Sequence, residues 1–478
     1  MENPRYIPSD DALHAAEKLL SRRTWPKLER LSESYIEKIT GKKWNDEAVL
    51  EKIRAAVVSQ KDSYWKEGKK RAVSYQGAYS VLSYIAYQMP GYVFEIAEYL
   101  LSLISSGLMR KHLRVLDLGA GPGTAYAAVI RILSAFPELS AEIYAAERTD
   151  THREAYSYLI PHLIAESKNC TAEKPAPMDI TSALPDGTYD LIICSNVLNE
   201  LPLDDEGKTE FLLSVSKHLT PDGNLVIFEP ADLDNATKLR DISRAAKEQG
   251  LTLYAPCNDL RGVACRVSPC WSFLSFEDIK PTRLMLALAS DTEQYRFVNT
   301  DVKFSYAVFR TDGHRRCGYR IPADAKRARL SQIKRHEGKR IHITVSVMSG
   351  DIGDAATYLY LVCDGSGTTP CYLALPAFHR TPEHEALLTA SYGSVVAVDS
   401  VLVRWNEKQH AYNLLMGKNS WCRMIAGTPA KNSCPDKAKA LAAAKSGKRP
   451  VKRPVPQNRG KRPEKNPKIK TQKRQIKE

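Results

Sequence analysis

Residues Val115–Thr124 read VLDLGAGPGT, and this stretch decides the fold. An apolar run carries Asp117, then Gly119, Gly121 and Gly123 occupy alternate positions before a helical pattern begins at Thr124. Side chains at those positions would hold a ligand away. Without them, a strand-to-helix turn can approach a nucleoside and aim free helix N–H groups at it. Outward from the turn, short apolar runs alternate with helical stretches: RVLDL, AEIYAA, YDLIICS, and NLVIFE after the turn Thr220-Pro221-Asp222-Gly223. That alternation predicts an α/β fold with a mostly parallel, doubly wound sheet.

The acids near the turn narrow the ligand. Asp117 stands two residues before the first glycine, where methyltransferases commonly place a carboxylate toward a methionine amino group. The second strand ends at Glu147, where an acid can accept both ribose hydroxyl protons. Asp179, in MDITSAL, falls where such folds place an acid or amide beside the adenine amino group. The expected cofactor is S-adenosylmethionine in a Rossmann-like core, held by Asp117, Gly119, Gly121, Gly123, Glu147 and Asp179. A nicotinamide dinucleotide is the competing reading, although its third-glycine spacing is missing. A structural turn with ordinary surface acids would show the same residues.

No catalytic residue is assigned. The segment after the fourth strand, Ser195–Pro202 (SNVLNELP), lacks the Asn/Asp-Pro-Pro-aromatic turn of enzymes that methylate base amines. Cys194 at the strand end reads as a core residue rather than a nucleophile.

From Ser9 to about Leu108 the apolar spacing of ALHAAEKLL and GYVFEIAEYLLSLI is helical. After Gly250 the chain becomes cysteine-bearing and proline-punctuated, and then β-rich in KFSYAVFR, RIHITVSV, TYLYLVC and VVAVDSVLVRW. The expected division is a helical N-terminal region (1–108), the Rossmann-like core (109–250), a cysteine loop with a smaller β-rich domain (251–428) and a disordered basic tail (429–478).

A 43% hydrophobic and 26% charged composition over 478 residues is that of a globular protein of more than one domain. No apolar stretch predicts a membrane span, and the acid-bearing N-terminus predicts neither a secretion signal nor an organelle presequence. The expected compartment is the cytoplasm and the expected state a monomer. Ten cysteines are too few for a disulfide scaffold in a chain this long.

The net charge of +14 is concentrated at one end. Residues 436–478 hold 16 Lys and Arg against three acids, a net of +13, which leaves about +1 for the rest. This tail, with its repeated Lys-Arg-Pro units, has too few apolar residues to offset the entropy of ordering and suits a flexible arm along RNA. A solubility tail would look similar. A second basic run carries Lys326, Arg327, Arg329, Lys334, Arg335, Lys339 and Arg340. It is dense enough to bind phosphates, and a solvated helix face would be as dense.

Cys257, Cys265 and Cys270 fall close together in TLYAPCNDLRGVACRVSPCWSF. Three such thiols call for a metal reading. With a fourth they would hold either tetrahedral zinc or a cubane iron–sulfur cluster. The best-framed fourth is Cys363, which closes TYLYLVC before Asp364-Gly365, with Cys371 and Cys317 in reserve. Zinc ligands usually pair two to four residues apart, whereas seven and four residues intervene here, which favours a cluster. Buried free thiols on an irregular loop remain the plain alternative.

Together these motifs resemble the methyltransferase-like assembly factors of the small ribosomal subunit, known from mitochondria and with bacterial relatives. The resemblance spans about Ser74 to Trp405 and runs, in order, through SVLSYIAYQMPGYVFEIAEYLL, VLDLGAGPGTA, SNVLNELP, FEPAD, the APC…C…CWSF loop, FSYAVFR and LVCDGSG. It implies a Rossmann methyltransferase-like core, a four-iron four-sulfur cluster and contact with small-subunit ribosomal RNA. By motif, Cys257, Cys265 and Cys270 match the loop cysteines, and Cys363 matches the one before the Asp-Gly turn. Two departures stand out. Family loops often read Cys-Pro-His, whereas Asn258-Asp259 follow Cys257 here, and the stretch carrying AKRARLSQIKRHEGKR is long.

The function expected is therefore RNA methylation or assembly support on the small ribosomal subunit. A small-molecule or protein methyltransferase with an unrelated basic tail is the alternative.

Overall fold

The computed structural model describes residues 3–64, 77–165, 167–276, 279–289, 296–429 and 436–440. Five strands, β1 (His112–Leu118), β2 (Ser140–Ala146), β3 (Cys170–Ala172), β4 (Tyr189–Ser195) and β5 (Leu219–Pro230), pair in parallel in the order β3-β2-β1-β4-β5. Both faces of this sheet are covered, which is why YDLIICS is a continuous apolar run rather than an alternating one. Val115, Ile143, Ile193 and Phe228 pack under the helix Thr124–Leu133 and the N-terminal helices. Leu116, Ile192 and Ile227 pack under the helices Asp205–Ser216 and Leu233–Glu248.

The N-terminal helices share the sheet's core instead of forming one of their own: Ala16, Leu20, Ile36 and Ile53 belong to the same buried cluster as Val115. Ser9 caps the first of them by accepting from the amide of Ala12. A π-helical turn at Tyr84–Gln88 precedes the helix Met89–Ser105. Its wider winding coincides with the placement of Tyr84 beside the glycine turn, where its hydroxyl lies 3.2 Å from Thr124 Oγ1.

Three strands beyond residue 250 complete the first sheet: β6 (Thr252–Ala255), β7 (Leu274–Phe276) and β8 (Val302–Arg310). β8 runs antiparallel beside β5, and its far edge is shared by β6 at residues 308–310 and β7 at residues 302–304. The division expected at residue 250 thus falls inside this sheet. KFSYAVFR lies in the first sheet, not in the β-rich domain. An almost wholly buried strand has no alternation by which to choose its sheet. The loop 256–273, with its three cysteines, is strung between β6 and β7 along one edge.

The second domain contains β9 (Arg340–Val347), β10 (Thr357–Cys363), β11 (Cys371–Pro376), β12 (Val395–Asn406), β13 (Ala411–Leu415) and β14 (Trp421–Ala426). β9, β10, β11, β13 and β12 close on themselves, with β11 and β13 parallel and the other pairs antiparallel, while β14 extends β12. This five-stranded Greek-key closure is that of the OB-type barrels. β12 serves both edges because its register shifts between Val398 and Val401, where Ser400 takes a left-handed φ of 61°. Of the expected basic tail, Pro429 bridges to Ala390, and Lys437 docks on the barrel by donating its amide to Tyr358 Oη at 2.9 Å. Residues 441–478 lie outside the described residues. Among the described residues no helix is long and apolar enough to cross a membrane.

Candidate functional site

Gly119, Gly121 and Gly123 all take positive φ, from 56° to 93°, at the carboxyl end of β1. The amides of Gly119 and Ala120 both donate to Ala146 O, which ties the turn to the end of β2. Glu147 closes the unit, accepting from Gly121 N at 2.9 Å and from Thr149 N at 2.7 Å. A Cβ on Gly119 would lie 2.6 Å from Val197 Cγ2 and one on Gly123 2.5 Å from Ile160 Cδ1, whereas Gly121 faces open space with His152 Nδ1 at 3.9 Å. The first and third glycines are therefore required by packing and the middle one by backbone conformation alone.

Beside this turn lies a cavity of about 340 Å³ that is bordered by Gly119, Gly121, Glu147, Asp179, Tyr84 and His152, among others. It sits beyond the carboxyl ends of β1 and β4, where the strand order reverses and open α/β sheets take their ligands. Of the six residues expected to hold a cofactor, Gly119, Gly121, Glu147 and Asp179 border the cavity. Asp117 lies beneath it, 2% exposed, and Gly123 is packed under the helix start. Asp117 Oδ2 has no hydrogen-bond partner. Burial, and then the charge of Glu147, push the Asp117 carboxyl up to about 7. Asp179 is held below the usual carboxylate range, first by the Thr181 hydroxyl, and pairs with Arg148 at 3.3 Å.

The opposite wall is the segment after β4. Asn196 adopts a left-handed φ of 55° and donates its amide to Phe228 O at 2.8 Å. Glu229, at the end of β5, accepts from Asn199 N at 3.1 Å and so fixes the SNVLNELP loop from below. Burial raises its carboxyl to about 8, with Lys208 opposing the shift. Cys194 is fully buried, with its thiol well above the ordinary range, so it takes no part in the cavity's chemistry.

A second cavity, of about 450 Å³, lies between the sheet edge and the barrel. Cys257, Cys265 and Cys270 from the loop and Cys363 from the end of β10 all line it, together with Arg240 and Arg244. The reserve candidates lie elsewhere: Cys371 is in the barrel core, and Cys317 packs with Leu260 and Val395. Gly365 N donates to Cys363 Sγ at 3.2 Å, and Arg244 Nη1 lies 3.7 Å from Cys265 Sγ. A hydrogen bond from Cys363, with help from Arg244, holds the Cys265 thiol below its usual range, while burial pushes Cys257 and Cys270 up. Among the described residues no three His, Cys, Asp or Glu side chains converge on a position for a single metal ion.

The basic run enters the barrel through a short 3-10 helix at Leu330–His336. Arg327 is spent on Asp399, and Arg340 Nη1 donates to Ser400 O. Lys326, Arg329, Lys334, Arg335 and Lys339 are exposed.

Sequence reasoning passed over Tyr84, His152 and Glu229 at the first cavity and Arg240 and Arg244 at the second. Only the arginines left a usable signal. They are one helical turn apart, just ahead of the cysteine loop.

Comparisons with known proteins agree with the class this geometry defines. Residues 85–261 match a family described as methyltransferase domain. Residues 331–425 match the C-terminal domain of a family of unknown function, DUF8157.

Similar solved structures include the mitomycin 7-O-methyltransferase MmcR, at 19% identity over 38% of this chain and 52% of that one, with a TM-score of 0.27. This chain thus spans about half of that enzyme's length. The magnesium protoporphyrin IX methyltransferase of Synechocystis PCC 6803, solved with bound SAH, matches at 14% identity over 55% of this chain and 99% of that one, TM-score 0.29. An S-adenosylmethionine-dependent methyltransferase of Clostridium acetobutylicum matches at 12% over 46% and 92%, TM-score 0.29. No curated protein sequence matches the chain.

Proposed function

We propose that this chain binds S-adenosylmethionine at the glycine turn and a four-iron four-sulfur cluster at its four thiols, and acts on the small ribosomal subunit by methylating its RNA or supporting its assembly. The observation that carries this reading is the cavity lined by Cys257, Cys265, Cys270 and Cys363, thiols brought together from two domains. Four thiols on one cavity are the donor set of a cubane cluster, and the seven- and four-residue gaps between the loop cysteines favour it over a zinc site. When bound, such a cluster would serve here as a structural staple between sheet and barrel.

The first cavity fits its cofactor in kind. The unpartnered Asp117 oxygen suits an ammonium group, and Glu147 keeps lone pairs for ribose hydroxyls beyond the two amides it already accepts. S-adenosylmethionine supplies an already activated methyl group, so the protein's contribution to rate is mainly positioning. Contact with ribosomal RNA is supported by the exposed cations from Lys326 to Lys339 and by the composition of the tail.

The test is co-sedimentation with small subunits, followed by transfer of tritiated methyl to their RNA with Gly121→Arg as the blocked control. Co-sedimentation without transfer supports the assembly role. Failure to co-sediment would overturn the ribosomal reading and favour a small-molecule or protein substrate.

A further inference from the structure

Arg240 is an unusual residue to find buried. It is 2% exposed, near the middle of the helix Leu233–Glu248, and borders the thiol cavity. One nitrogen, Nη2, is used by Ser305 Oγ and Tyr306 O, but Nε and Nη1 have no hydrogen-bond partner. A guanidinium cannot escape burial by losing its proton, and unpaired buried charge costs several kcal/mol. Neutral thiols are weak acceptors and do not offset that cost. An anion in the cavity does.

The surroundings agree. Arg244, one helical turn on, lies against Cys265, and the half-buried Arg316 holds the base of the loop through Pro256 O at 2.6 Å and Asn258 Oδ1 at 3.0 Å. Two arginines therefore line the cavity with four thiols, and a third stands at the base of the loop. Three of the acids nearby are already engaged, Asp241 by Arg244, Asp259 by Lys247 and Arg320, and Asp364 by Arg261, while Glu248 lies exposed at the rim.

We propose that Arg240 donates its two open N–H groups to an anionic, thiolate-held group in this cavity and, with Arg244, sets how readily that group accepts an electron. The inference rests on the cluster reading above, since four thiolates on a cubane leave net negative charge for the arginines to balance. Arg240 acts as a positioning and charge-balancing residue, and positive charge this close favours the more negative, reduced state.

The experiment uses the full chain purified without oxygen, with iron and acid-labile sulfide assayed and the midpoint potential read by a mediated titration followed by electron paramagnetic resonance. Arg240→Met is expected to shift the reduction equilibrium about tenfold toward the oxidised form, ~59 mV for a one-electron couple. Arg240→Lys should restore most of that shift. Arg244→Gln should move the potential in the same direction by less, and it decides the matter if Arg240→Met does not fold. Variants that keep iron, sulfide and an unchanged potential would overturn this inference and leave the cluster standing. Wild-type protein free of iron and sulfide would overturn both.

Discussion

The amide of Gly121 donates to Glu147 Oε2 at 2.9 Å, so the turn after β1 and the acid after β2 form one hydrogen-bonded unit. Glu147→Ala removes the acceptor from two backbone donors and one carboxylate from the cavity wall. Hydrogen bonds to a charged group are worth about 1.5–3 kcal/mol, so affinity for S-adenosylhomocysteine should fall roughly 10- to 100-fold by calorimetry. Glu147→Gln should lose less, since its carbonyl oxygen still accepts. Equal losses would count against the ribose role.

If Asp117 meets the cofactor's ammonium group as proposed, cofactor binding should depend on pH. Its carboxyl stands at about 7 in the empty protein, and an ammonium group placed beside it favours the ionised form. Binding should release a proton, and affinity should weaken below pH 7 by up to about tenfold per unit. Calorimetry in buffers of different ionisation enthalpy reads the proton directly. Asp117→Asn should abolish both effects.

The three glycines should fail differently. Gly123→Ala pushes a methyl against Ile160 and Tyr156 inside the core, and should cost about 1–3 kcal/mol by thermal melting. Gly119→Ala meets the end of the Val197 side chain and should cost less, while disturbing the far wall of the cavity. Gly121→Arg enters open space, so the protein should fold with a small penalty for its positive φ and lose cofactor binding.

Glu229 couples stability to pH. Its ordinary value is 4.5 and its folded value about 8, so it binds more protons folded than unfolded between those limits. Its stabilising contribution is complete below pH 4.5 and is lost as pH rises through 8. Glu229→Gln keeps the acceptor for Asn199 and cannot ionise. Its melting temperature relative to wild type should therefore climb from about pH 5 to about pH 8.5, and a constant difference would refute the assignment.

If RNA phosphates meet the basic run, Lys334→Ala with Arg335→Ala should weaken binding uniformly across sequences. The slope of log affinity against log salt should flatten by roughly 0.7–0.9 for each phosphate left without its cation. A weaker affinity with unchanged slope would point instead to a disturbed barrel.

Much of this architecture is legible in the chain because strand, turn and acid recur where local physics demands them. VLDLGAGPGT lies at the carboxyl end of β1, and Glu147 directly follows β2. The sheet assignment of β8 was not legible, because its buried run carries no periodic signal to separate the two domains. The cysteines were legible as candidates through their clustering and the framing of Cys363. Arg240 was not, because a buried cation is recognised only by what surrounds it. Tyr84 escaped for a related reason: its place depends on a π turn that the apolar spacing of its helix does not announce.

The loop 256–273 is anchored at both ends to β8, through β6 and β7, and the fourth thiol closes a strand of the barrel. Any group bonded to all four sulfurs would therefore close a covalent ring through both domains. The same loop is already tied to the barrel by the buried Arg261–Asp364 ion pair and by the hydrogen bond from Asn258 Nδ2 to Ser346 Oγ at 2.9 Å, so the ring would reinforce an existing joint. Supply of that group would then set how stiff the joint between the domains is, independently of events at the glycine turn.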